Sequence, residues 1–294
     1  MATQLMEFDD TFGITATYAL GLLDYNLKGV GATKLDSVFH KTPKLATYFT
    51  QSCQDVARIM QQEIQKETID FIDGKLNEFQ NWILGTYLIR KASANVTKSK
   101  LFSLLMEKEK QIGIDMIPVL QDERYAASAL STFMIGASIH LTILQELALI
   151  DPMAAQPGFP PYVRSIKKYA EIYSNHVGDT YTSIINARTS DSVITPVTTR
   201  VDDKAQALAV SPCYQSYTSF WRDAYNGHEG RCSTDRMCQW LSWSAGTPED
   251  LQENVKRGRE EYIQQVKRTL TKQLNNPPFI CESWRKLIDR PLPI

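Results

Sequence analysis

His140 stands within a stretch, Tyr125 to Gln145, that holds no Asp, Glu, Lys or Arg. A lone imidazole there supports two chemistries. Neutral, it is a core histidine hydrogen-bonded to a neighbouring helix; protonated below pH ~6.5, it loosens the packing around it and acts as a switch. The other polar groups of the stretch are hydroxyls, on Ser128, Ser131, Thr132, Ser138 and Thr142. The opposite pattern lies upstream, where Glu107, Lys108, Glu109 and Lys110 are consecutive and Asp115 follows. Consecutive charges point to every side of a helix. In water they make a solvated face; at the centre of a bilayer each costs ~3 kcal/mol unless it faces a water-filled lumen or a partner. Glu107, Lys108, Asp115 and His140 are therefore the candidates to face a water-filled lumen, should this part of the chain enter a bilayer, or to act as a switch. A third group is aromatic: Tyr214, Tyr217, Phe220, Trp221, Tyr225, Trp240 and Trp243. Of these, Trp221, Tyr225, Trp240 and Trp243 are candidates for contact with a receptor, a glycan or a lipid headgroup. The alternative is a small core held by Cys213, Cys232 and Cys238.

Enzymatic chemistry has no motif to rest on. No Glu-x-x-His surrounds any of the four histidines, and no G-x-S-x-G, H-E-x-x-H or phosphate-binding P-loop occurs. Gly29-Val30-Gly31 lacks the third glycine of a nucleotide fingerprint and reads as a turn between helices. His228, Cys232 and Cys238 lie close in sequence but lack the C-x-x-C pairs of a zinc module. Neither metal nor cofactor is expected. Four of the five cysteines, Cys213, Cys232, Cys238 and Cys281, fall in the last third, which favours disulfides or plain thiols there. With 32 basic and 33 acidic residues, and no basic block interleaved with aromatics, a footprint for nucleic acid is absent. The N-terminus lacks the basic and apolar regions of a secretory signal, although Thr11 to Leu23 is uncharged; that segment is a core helix or a membrane-active one, too short to span. Asn95-Val96-Thr97 is a glycosylation sequon on a predicted loop.

The elements that position these residues are helices. From Pro43 to Pro118 the chain is rich in helix formers, and Val56, Ile59, Ile64, Phe71, Leu76, Phe79 and Ile83 recur at helical spacing, predicting one long helix or two joined near Gly74. A second helix runs from Ser99 to Pro118 with Leu101, Leu104, Leu105, Ile112, Met116 and Ile117. After a polar connection comes a third, Tyr125 to Ile150, with Phe133, Ile135, Ile139, Leu141, Ile143 and Leu144. These two form an antiparallel hairpin. The third is apolar on every side and roughly 31 Å long up to Gln145, which predicts a helix wrapped by others in solution and able to enter a bilayer if the bundle opens. Tyr162 to Arg188 is a further helix with tyrosines at the core edge. Residues 189–246 read as an irregular Cys/Trp/Tyr-rich insertion with short strands, and Thr247 caps a last helix that ends before Asn275-Asn276-Pro277-Pro278. The expected fold class is all-α, with a bundle over 1–188, the insertion over 189–246, and the last bundle helix with a tail over 247–294.

Four segments carry a family resemblance. Ala137-Ser138-Ile139-His140-Leu141, preceded by a helix ending Met116-Ile117-Pro118, resembles the fifth and fourth helices of the N-terminal pore-forming domain of crystal (Cry) delta-endotoxins. Tyr173-Ser174-Asn175-His176 followed by Tyr181 resembles its sixth helix, and Val255 to Leu274 followed by NNPPF its seventh. EIQKETIDFIDGKLNEFQNWI resembles the paired second and third. The resemblance covers residues 5–188 and 249–280, in order, and extends to binary insecticidal and box-jellyfish toxins, which carry similar bundles. It implies a seven-helix bundle around a central helix, whose fourth and fifth helices insert as a hairpin, self-associate in the target membrane and admit cations. It implies a secreted or released protein, crystal inclusion included, that then meets the lipids of a target cell. The segment 189–246 is foreign to the pattern, and the β-rich receptor-binding and lectin-like domains that usually follow do not appear. Targeting is then expected from a cell-surface receptor or glycan met by the insertion, from a second toxin chain, or from sequence beyond residue 294. The alternative from another class is a soluble helical interaction protein, for which Glu107 to Lys110 is the supporting feature.

Overall fold

The computed structural model describes residues 45–292, apart from 64–65, 88, 91–92, 94–95, 152–160, 204–213 and 238–247. The Thr11 to Leu23 segment, the Gly29-Val30-Gly31 turn, Asn95 of the sequon, Cys213, Cys238, Trp240, Trp243 and Thr247 lie outside the described residues. The described residues are predominantly helical, with a small three-stranded sheet. The chain divides into two units, Met1–Ile184 with Thr271–Ile294, and Ile185–Leu270.

In the first unit, helix α1 (Leu45–Met60) buries Cys53, Val56, Ala57 and Ile59. It stops at Gln61, whose φ of 54° puts it in the left-handed region, while the Gln61 and Gln62 amides bond back to the Arg58 and Ala57 carbonyls. The break expected near Gly74 is thus at Gln61, and Gly74 lies inside helix α2 (Lys66–Trp82). Ile64 and the side chains of Leu76, Phe79 and Ile83 lie outside the described residues. Trp82 stacks on Tyr87 across the π-helical turn Ile83–Tyr87, with ring centroids 5.4 Å apart.

Helix α3 (Lys98–Lys110) begins on Thr97, whose hydroxyl accepts from the Lys100 amide at 3.3 Å. It does not run unbroken to Pro118. A π-helical segment, Gln111–Met116, intervenes before the short helix α4 (Ile117–Leu120). Pro118 has no amide to give the Ile114 carbonyl, so the α-helical ladder is interrupted there in any case. After the turn 121–129 comes helix α5 (Leu130–Ile150), shorter at its start than the expected Tyr125. Every residue from Leu130 to Ala148 is buried. Helix α6 (Pro161–Thr189) packs Ile166, Ala170, Tyr173 and Val177 inward; Tyr173, read as a core-edge residue, is fully buried.

In the second unit, strands β1 (Thr198–Asp203), β2 (Tyr214–Arg222) and β3 (Glu229–Met237) pair antiparallel in that order. Helix α7 (Pro248–Gln273) starts on proline with Glu249 and Asp250 in its first turn. Ile194, Trp221, Val255 and Ile263 form the core, so this helix, expected as part of the bundle, gives most of its length to the second unit. Asn275 and Asn276, both at positive φ, then reverse the chain into helix α8 (Pro277–Asp289). That helix was expected as a tail; it buries Ile280, Cys281, Trp284 and Leu287 in the first unit.

Candidate functional site: the central hairpin

Helix α5 is the feature on which any membrane chemistry would turn. Two of its hydroxyls bond within the helix itself. Ser138 Oγ donates to the Met134 carbonyl at 2.8 Å and Thr142 Oγ1 to the Ser138 carbonyl at 2.9 Å, both four residues back in the same helix. Three longer side chains reach outward. Gln145 Nε2 donates to the Pro291 carbonyl at 3.0 Å, Glu146 is buried near the helix end, and His140, fully buried, meets two other helices.

His140 Nδ1 lies 2.6 Å from the Tyr173 hydroxyl, and Nε2 lies 3.4 Å from Glu109 Oε1. Burial foremost, then Tyr169 and Glu109, push the Tyr173 phenol well above its ordinary range. It therefore stays protonated and donates to Nδ1, leaving Nε2–H to donate to Glu109. Tyr169 packs edge-on to the imidazole at 4.9 Å. Gly113 of the π segment lets the other arm approach, since a Cβ there would stand 3.4 Å from His140 Nε2. This is the arrangement of a core histidine hydrogen-bonded to neighbouring helices.

His176 is disfavoured in its charged form. It packs on Phe133 of α5 with centroids 4.5 Å apart, and its Nε2 is buried without a hydrogen-bond partner. Burial lowers its pKa, with Asp179 opposing. Sequence reading named His176 only within the segment Tyr173 to His176, because burial of one nitrogen has no signature in spacing.

The expected hairpin residues occupy one packed seam. Leu101, Leu105, Ile112, Met116 and Ile117 are buried on the first arm, with Leu104 half-buried; Phe133, Ile135, Ile139, Leu141, Ile143 and Leu144 are buried on the second. The charges divide. Glu107, Lys110 and Asp115 are exposed, whereas Lys108 Nζ donates to Glu78 Oε1 at 2.9 Å and to Gln111 Oε1 at 2.6 Å and lies 5.7 Å over the Trp82 ring. Helix α8 covers another flank, with Trp284 Nε1 donating to Ser138 Oγ at 3.3 Å. Cys281 beside it carries no disulfide and is a plain thiol, one of the two states expected for it. Burial pushes its thiol up to about 11, and Sγ donates to the Ser174 carbonyl at 3.4 Å.

The chain matches no protein-family model and no curated protein.

In the second unit, two of the four aromatic contact candidates, Trp221 and Tyr225, lie among the described residues. Trp221 is buried in the core, where its indole leaves no room for a Cβ at Gly230, so it is not a contact surface. Tyr225 is half-buried, with the Arg188 guanidinium 4.4 Å over its ring. Arg188 donates to both oxygens of Asp223 at 3.3 and 2.7 Å, Tyr262 donates to Oδ2 at 2.7 Å, and the Tyr225 amide to Oδ1 at 2.9 Å. Burial raises the Asp223 pKa, but these hydrogen bonds and the Arg188 charge outweigh it and hold the carboxyl below its ordinary value. His228 stacks on Tyr262 at 4.7 Å, and Cys232 sits opposite Ser219 in the sheet without a disulfide. Among the described residues no three His, Cys, Asp or Glu side chains gather at one point.

Proposed function

We propose that this chain is the pore-forming bundle of a delta-endotoxin-like toxin, in which a seven-helix arrangement surrounds α5 and the hairpin of α3–α4 with α5 enters the target membrane. One observation carries the reading. A 21-residue helix of mean hydropathy 1.6 is sheathed by other helices and joined to an antiparallel arm by a short turn. Ser138 and Thr142 bond their hydroxyls within the helix, so those two groups stay paired when it moves into lipid. The groups that must find new partners are His140, Gln145 and Glu146 on this arm, and Glu107 to Lys110 with Asp115 on the other; an oligomer offers them a water-filled lumen and each other. On this reading the protein is released from its producer, meets target-cell lipids, self-associates and lets cations leak, with a receptor, a glycan or a second toxin chain giving direction.

A second reading, a soluble helical interaction protein, is favoured by the first arm. Its exposed charges and its Lys108–Glu78 ion pair suit water. Dye and potassium release from liposomes separates the two. Cysteines placed at Glu78 and Lys108, in a background free of native cysteines, are joined by a reducible bifunctional maleimide. Release that stops on bridging and resumes on reduction is expected of a bundle that must open. An intact bundle that releases nothing from pH 5 to 10, before and after limited proteolysis, overturns the pore reading in favour of the second.

A further inference from the structure

The sheet of the second unit has two chemically different faces. Along β2 the side chains alternate, and Ser219, Trp221 and the following Asp223 are buried against the unit's core. The intervening positions, Phe220 and Arg222, point to the other face. The register sets their neighbours: Thr198 and Arg231 flank Phe220, Arg200 and Ser233 flank Thr218, and Glu229 lies opposite Arg222. Three arginines, Arg200, Arg222 and Arg231, therefore surround one half-buried phenylalanine. All three are exposed, and Arg200 lies over the Phe220 ring at 5.1 Å, which fixes its guanidinium on the surface. Among the described residues none of the three forms an ion pair; Glu229, the one described acidic side chain at this end of the face, is not within salt-bridge distance of Arg222.

The register continues this face to Asp202 and Asp235 beside Ser216, so its carboxylates lie toward one end and the guanidiniums gather around the aromatic ring toward the other; that arginine end matches a surface dense in phosphate with an apolar layer beneath it. Arginine forks take two phosphate oxygens at once, and an aromatic side chain settles at the headgroup level. We propose that this face docks on an anionic lipid bilayer and so brings the chain to the membrane. The inference rests on the membrane reading above for its biological sense but not for its test.

The test is co-sedimentation of the full chain with vesicles of phosphatidylcholine alone and with 30% phosphatidylserine, a composition chosen for the assay. Binding is expected only to the anionic vesicles and is expected to weaken as salt rises. Each single Arg→Ser change at Arg200, Arg222 or Arg231 lowers partitioning about fivefold, and the triple change lowers it on the order of 100-fold. Arg222→Lys, which keeps the charge, retains most of the binding. Arg285→Ser, on a helix of the other unit, removes one charge elsewhere and leaves binding within about twofold. Circular dichroism of the triple variant establishes that the fold is kept. Equal binding by wild type and triple variant, or equal binding to neutral vesicles, overturns the proposal. So does capture by a soluble sulfated glycan that leaves vesicles unbound. Arginine-dependent binding without leakage leaves this inference standing and sinks the pore; leakage that ignores the arginines does the reverse.

Discussion

The two units keep their interiors together by different means. Around α5 the first unit stacks apolar side chains and, among the described residues, ties them with polar links from His140 to Tyr173 and Glu109, Trp284 to Ser138, and Gln145 to Pro291. The second unit has a small apolar core and sets beside it one buried carboxylate, Asp223, held by Arg188, Tyr262 and a backbone amide. Apolar packing is non-directional, so it can be exchanged for another apolar surrounding at modest cost. A buried ion pair has no such exchange available, because separating it leaves a bare charge. The difference teaches where rearrangement is affordable in this chain: in the bundle, with the sheet unit as the part that keeps its shape.

The largest test of that contrast is Asp223→Ala, which leaves the Arg188 guanidinium buried and unpaired. It should destabilise the second unit by about 3–5 kcal/mol, read as new protease cleavage confined to 185–270, while the bundle keeps its helical signal. Next come two glycine changes of equal size. In Gly230→Ala the added carbon would lie 2.3 Å from the Trp221 indole, a rigid neighbour in the core, and about 1–3 kcal/mol of destabilisation is expected in thermal melts. In Gly136→Ala the added carbon meets only the terminal methyl of Met116, also at 2.3 Å, and the flexible side chain can turn away; the expected loss is under about 1 kcal/mol. Equal losses at the two sites would erase the contrast.

The smallest effect is in pH. His176 has a lowered folded pKa, so its contribution to the bundle is complete above the unfolded value of about 6.5 and declines as pH falls toward the folded value. Asp223 also has a lowered folded pKa, but its contribution is complete above about pH 4 and is lost only as pH falls through a still lower value. Acid should therefore loosen the bundle before the sheet unit, and His176→Gln should flatten the upper limb of near-ultraviolet dichroism against pH. An unchanged limb in that variant would remove His176 as the acid-sensitive group.

Much of the bundle was legible because burial on all sides demands a run without charge, and Leu130 to Gln145 is such a run. The hairpin followed from the polar turn before it. What escaped has physical reasons. Gln61 ends a helix in a left-handed conformation that glycine usually signals. Asn275-Asn276-Pro277-Pro278 reads as a terminator, yet the two asparagines take positive φ and the prolines then open a helix at its first turn. Arg188 and Asp223 are 35 residues apart, and no periodicity links them. Trp221 read as a contact residue because composition cannot tell which face of a strand an indole occupies. The arginine face shared that ambiguity until the register placed Arg200, Arg222 and Arg231 together.

Helix α8 sets a clock. Ser138 finds Trp284, and Gln145 finds Pro291, 146 residues later in the chain in each case. At ribosomal speeds of ~5–20 residues per second, the middle of the molecule is made several seconds before the segment that seals one flank of α5. During that interval the most apolar helix among the described residues is uncovered on that side, and its cover arrives only once Trp284 and Pro291 have been made.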